Sequence, residues 1–209
     1  MTSSRSLLNT AGFTLVEITI VVAIAAAVTL ALTKFQSDIF SLNRVFFNSF
    51  SGGDQAQKLL RPMTAEIRSA SPSSNGAYPI ESFGANDFAF FSDINNDGKK
   101  EWLRYYVSGT TMYKEVIVPT GSPLTYEQSN KQTSTFMTGV RNIESDVPTF
   151  HYYDATYSGG VSGEVASGTG DIEDIRLVRV TVVVDADPLK PPAAMEISTQ
   201  VLIRNLKQQ

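Results

Sequence analysis

The sequence has no cysteine, which excludes a disulfide framework, thiolate nucleophiles, thiolate metal sites and iron–sulfur clusters together. It has a single histidine, His151, so a His-rich metal site is excluded and any Ser-His-Asp arrangement would have to pass through that one ring. A basic excess is lacking too: 17 Lys and Arg face 21 Asp and Glu, a formal charge of −4, the opposite of the surface that nucleic acid demands. Direct nucleic-acid binding is therefore not expected. Between Phe13 and Thr33 there is no Lys or Arg, and the stretch ends in Thr33-Lys34-Phe35 without an A-x-A site, so its removal as a Sec-type signal is not expected either.

What is present is one long apolar run. GFTLVEITIVVAIAAAVTLALTKF occupies residues 12–35, and Phe13 to Leu32 alone is 20 residues. At about 1.5 Å of rise per residue, a helix of that length covers roughly the 30 Å hydrocarbon thickness of a bilayer. Removing an anchor of about 35 residues still leaves a chain long enough for one globular domain. One carboxylate, Glu17, interrupts the run. At a membrane centre it would cost about 2.5–3.5 kcal/mol on insertion scales, and less near the edge. By position it either stays solvated near the headgroups or meets a cation from outside the segment.

The hexapeptide Gly12-Phe13-Thr14-Leu15-Val16-Glu17, behind a short polar stretch with one Arg, Arg5, and ahead of the apolar run, resembles the leader junction of type IV prepilins and type II secretion pseudopilins. The resemblance implies that residues 1–12 are a leader peptide, cut after Gly12 by prepilin peptidase, and that the new N-terminal Phe13 is methylated. It implies that Phe13 and Glu17 direct subunit assembly, the Glu17 carboxylate pairing with the N-terminal ammonium of a neighbouring chain's Phe13. A charge buried in oily surroundings is then neutralised only in the filament. The implied partners are other pilins or pseudopilins, prepilin peptidase and an inner-membrane assembly platform. The implied location is the inner membrane, single-pass with the globular domain extracytoplasmic, and then the filament.

Beyond the transmembrane or filament-core helix, residues 13–35, residues 36–70 read as an amphipathic helical continuation. Phe35, Ile39, Phe40, Leu42, Phe46, Phe47 and Phe50 recur at three- and four-residue spacings. Ser51-Gly52-Gly53 predicts a break near 51–53, because glycine costs about 1 kcal/mol in a helix interior. Asp54 then reads as the N-cap of a second segment with Leu59, Leu60, Met63 and Ile67 on one face and a bend at Pro62. The Ser/Pro/Gly-rich stretch 69–76 is loop chemistry.

Residues 77–209 read as a β-rich domain. Strands are expected at Phe88–Ser92, Trp102–Val107, Met112–Val118, Thr149–Asp154, Arg176–Asp185 and Met195–Arg204, from aromatic and β-branched residues. Period-2 stretches in the last two make a long hairpin, turned at Asp187-Pro188-Leu189-Lys190-Pro191-Pro192. The segments between Pro119 and Val147 and from Ser158 to Gly170 read as loops. The class is α+β, and a long N-terminal helix packed on an antiparallel sheet domain resembles the pilin fold. FFSDINNDGKKEWLRYYV, TGVRNIESDVPTFHYYDA and the closing Arg204-Asn205-Leu206 narrow the resemblance to the minor pseudopilin J and minor pilin W group.

One loop carries its own chemistry. Asp93, Asn95, Asp97 and Glu101 stand at positions 1, 3, 5 and 9 of a loop with Gly98 at 6, the first part of a calcium-binding loop of EF-hand type. Position 12 is Arg104 rather than a bidentate Glu, so the expected site is a hairpin loop that uses Asp93, Asn95, Asp97, the Lys99 carbonyl and Glu101 for Ca2+. Asn96-Asp97-Gly98 is equally a turn-forming tripeptide, and Lys99 and Lys100 weaken the local field for a cation. Trp102, Tyr105, Tyr106 and Tyr113 read as sheet core and cross-strand pairs. The functional expectation is a minor pilin or pseudopilin subunit. The alternative is a filament-displayed, calcium-dependent adhesin or substrate-binding module. No residue constellation has catalytic spacing, so an enzyme is not expected.

Overall fold

The computed structural model describes residues 14–160, 162–185 and 194–206, with the backbone alone at 37, 38 and 40–59. The chain divides into two compact units, Met1–Phe47 and Asn48–Gln209; each is described by itself.

Helix α1, Leu15–Arg68, begins in the first unit and ends in the second. The break expected near 51–53 is not there: the backbone is helical through Ser51-Gly52-Gly53, and Asp54 is an interior helical residue rather than the cap of a second segment. A glycine weakens a helix by about 1 kcal/mol but removes no hydrogen-bonding group, so the ladder runs on into the good helix formers that follow, Gln55-Ala56-Gln57-Lys58-Leu59-Leu60. Pro62 also lies inside α1. It removes one donor, but the helix continues to Arg68.

In the second unit two antiparallel sheets follow. The first takes β1 (Ile80–Gly84), β2 (Asp87–Ser92), β3 (Glu101–Ser108), β4 (Thr111–Ile117) and β5 (Gln132–Thr138), paired in chain order as a meander. The second has β6 (Phe150–Tyr153), β7 (Glu164–Val165), β8 (Leu177–Val184) and β9 (Met195–Leu202) in the order β7-β6-β8-β9. All six expected strands are present. The expected β8–β9 hairpin pairs in register from Leu177 opposite Leu202 to Val184 opposite Met195, and its turn lies outside the described residues. β1, β5 and β7 were not expected, the last two lying in segments read as loops.

Period-2 alternation decides what each sheet buries. Phe88 and Phe90 of β2 stand opposite Tyr105 and Leu103 of β3, and all four are fully buried. They join Leu60, Met63 and Ile67 from the last turns of α1, and Phe150, Tyr152, Val178, Val180, Val182 and Val201 from the second sheet, in one core. The other face of the first sheet holds a smaller cluster, Ala89, Phe91, Trp102 and Ile117, with Tyr126 packed against it. Tyr106 and Tyr113, directly opposite each other, stack at 5.3 Å, the cross-strand pair that the sequence suggests.

Polar groups tie the end of α1 to the sheets. Glu66 accepts from the Tyr105 hydroxyl and from Lys114 Nζ, each at 2.6 Å. Asn205 donates to the Ala70 carbonyl at 2.9 Å. Burial, reinforced by the Glu66 charge, holds the Tyr105 phenol far above its ordinary range.

Candidate assembly site and acidic loop

Among the described residues, the first unit presents an apolar helix with no buried side chain. Leu15–Gln36 is 22 residues with mean hydropathy 2.5, and none of it is buried. Side chains all round are exposed, among them Val16, Val22, Ile24 and Leu30, whereas a helix on a globular surface keeps one stripe for the core and turns polar residues outward. At about 1.5 Å per residue the stretch exceeds the roughly 30 Å of a bilayer's hydrocarbon. The helix is long and apolar enough to cross a membrane.

Its few polar groups are arranged for such surroundings. The hydroxyls of Thr19 and Thr29 donate to the carbonyls of Leu15 and Ala25 at 2.8 Å, and Thr33 donates to Leu30 at 2.9 Å, so no hydroxyl needs water. Glu17 sits in the first helical turn, where the exposed peptide N–H groups favour a negative charge. Its own N–H donates to Thr14 Oγ1 at 3.3 Å, which makes Thr14 the cap of α1. No Lys or Arg lies between Thr14 and Thr33. Gly12 and Phe13, the expected cleavage and methylation positions, lie outside the described residues, as does the leader.

The acidic loop joins β2 to β3. Asp93 accepts from the N–H groups of Asp97 at 3.2 Å and Gly98 at 3.0 Å. Asn95 Oδ1 accepts from Asp97 N–H at 3.0 Å, and Asp97 Oδ1 from Lys99 N–H at 2.8 Å. These bonds hold Asn96 at φ 59° and Gly98 at φ 86°, a left-handed turn that glycine enters without strain. Lys100 Nζ lies 3.2 Å from Asp93 Oδ2. Desolvation works to raise the Asp93 pKa, but the hydrogen bonds from Lys100 and Gly98 outweigh it and hold the carboxyl below its usual range. The loop's exit is anchored where Lys100 N–H donates to Ser74 Oγ and the Lys100 carbonyl accepts from the Tyr126 hydroxyl at 2.6 Å.

Glu101 is the exception in this network. It is 1% exposed, and its Oε2 accepts from the N–H of Ile94 at 3.0 Å. Its Oε1 is buried without a partner, an arrangement that costs about 1–3 kcal/mol. Among the described residues, no three His, Asp or Glu side chains already converge as a metal-binding group. The loop thus holds the oxygens that the sequence singles out along one turn without drawing its carboxylates to one point.

Sequence reasoning missed the Lys100–Asp93 pair, the Ser74 and Tyr126 anchors and the Glu66–Tyr105–Lys114 contact. Tyr126 and Ser74 each reach Lys100 across 26 residues, and Lys114 reaches Glu66 across 48, so no local pattern marks them. His151 pairs with Glu164 at 3.1 Å, an ordinary contact between neighbouring strands. No protein-family model matches the chain, and no curated protein matches it significantly.

Proposed function

We propose that the chain is a prepilin-type precursor of a minor pilin or pseudopilin. Prepilin peptidase cuts it after Gly12 and methylates Phe13, and the mature helix sits in the inner membrane before it stacks with other subunits in a type IV pilus or a type II secretion pseudopilus. One observation carries the reading: an apolar helix with no packed face holds a single carboxylate, Glu17, in its first turn, immediately behind the Gly12–Phe13 junction. Neither a soluble domain nor a plain anchor calls for that carboxylate. Cutting after Gly12 frees an ammonium on Phe13, four residues before Glu17 in the sequence, and a neighbouring chain's ammonium supplies the positive charge that the segment lacks. Under this reading the two-sheet domain is the part displayed on the filament, a pilin-like head on its helix.

Co-expression with a prepilin peptidase tests the proposal. The expected mass is that of the chain without residues 1–12 and with one added methyl group on Phe13. An unshifted mass, or cleavage at another bond, overturns it.

A further inference from the structure

We propose that the loop Asp93–Glu101 is a calcium site, with side-chain oxygens of Asp93, Asn95, Asp97 and Glu101 and the Lys99 carbonyl as ligands. The proposal stands independently of the assembly function. Its decisive observation is Glu101, whose carboxylate is turned to the loop by the Ile94 N–H while Oε1 is buried with no partner. A buried carboxylate oxygen without a hydrogen-bond donor, on a residue already bonded to the loop, is matched by a cation, and the nearby Lys100 Nζ meets Asp93 instead.

The donor set selects the ion. It is all oxygen, mixed between carboxylate, amide and carbonyl, which suits the six to eight irregular contacts of calcium. Magnesium demands a near-ideal octahedron and keeps its waters, and zinc prefers nitrogen and sulfur. The backbone is already wound for the ion. The N–H groups of Asp97, Gly98 and Lys99 are taken up by Asn95, Asp93 and Asp97, which fixes these side chains along the inside of the turn. Asp97 Oδ2 has only the Asn95 amide at 3.1 Å. Binding then draws Asp97 and Glu101 toward Asp93 and displaces Lys100. The bidentate Glu of a full EF-hand is missing, because Arg104 stands there and pairs with Asp87 and Glu115. Affinity is accordingly in the range of extracellular modules, about 10⁻⁴–10⁻³ M.

Lys100 separates this site from a plain turn. If the loop is only a turn, Lys100→Met loosens it and nothing binds; if it is a calcium site, the same change removes a competitor and tightens binding. The full chain in detergent micelles is titrated with Tb3+, exciting Trp102, the neighbour of Glu101 and the only tryptophan in the sequence. Sensitised emission is expected, displaced by millimolar Ca2+ and not by equal Mg2+. Glu101→Gln and Asp97→Asn should each weaken Ca2+ about tenfold or more, and Lys100→Met should strengthen it. If Glu101→Gln fails to fold by circular dichroism, Asp97→Asn at the exposed turn decides. Absence of Ca2+-displaceable emission, equal displacement by Mg2+, or unchanged affinity in Asp97→Asn overturns the proposal.

Discussion

Helix α1 exposes its apolar side chains at one end and buries them at the other. Val22, Ile24 and Leu30 are 61, 59 and 71% exposed, whereas Leu60, Met63 and Ile67 are 3, 0 and 0% exposed. The difference lies in pattern. At the second end apolar residues recur at a three-to-four-residue spacing, with exposed Arg61, Pro62 and Ala65 between them, so a single stripe meets the sheets. At the first end they run all round, so no single stripe is set aside for a core. One end is packed on the chain's own strands; the other is exposed throughout its described residues.

The largest effects should appear when that contrast is attacked at the core. Phe150 is fully buried, and Phe150→Ala should cost about 3–5 kcal/mol in urea unfolding followed by Trp102 fluorescence. Val22→Ala, on the exposed end, should change the same unfolding by less than about 0.5 kcal/mol. Equal costs would mean that the two ends are packed alike. Next is Glu66→Ala, which leaves Lys114, 17% exposed, and the Tyr105 hydroxyl without their acceptor. About 2–3 kcal/mol should be lost, and the triple change Glu66→Leu, Tyr105→Phe, Lys114→Met should recover most of it.

A third effect concerns pH. Burial raises the Tyr105 and Tyr152 phenols above the ordinary value of 10.0, and the Tyr152 hydroxyl donates to the Gly84 carbonyl at 2.9 Å. Below that value both folded and unfolded chains keep these protons and the stabilisation is complete. Above it the unfolded chain ionises first, so stability falls as pH rises. Melting temperature should therefore drop through the alkaline range, and Tyr152→Phe should flatten the slope while Val22→Ala leaves it unchanged. The smallest effect is at His151, whose partner Glu164 is 40% exposed. His151→Gln should alter stability by less than about 0.5 kcal/mol in the same melt.

How much of this was legible in the sequence depended on whether local pattern was enough. β2, β3, β4, β6, β8 and β9 announced themselves through runs of aromatic and β-branched residues. β5 did not: QTSTFMT is an edge strand, four of its first residues exposed and only Met137 buried, so its Ser and Thr look like a loop. β7 is two residues long, too short for any period. Glycines at 52 and 53 suggested a break that the helix passes through. The acidic loop was legible as a list of oxygens at set positions, but the orphaned Oε1 of Glu101 and the lysine on Asp93 belong to the folded chain. Glu17 was legible as an anomaly, because a carboxylate in an apolar run stands out wherever the chain goes.

Under the proposed function, the Glu17 carboxylate docks another subunit. Glu17→Gln, produced in the cell of origin beside unaltered subunits, tests it most directly by the amount of the variant recovered in sheared filaments. The expected result is a variant cut after Gly12 and retained in the membrane but depleted from filaments. Recovery in filaments at the unaltered level would contradict the account.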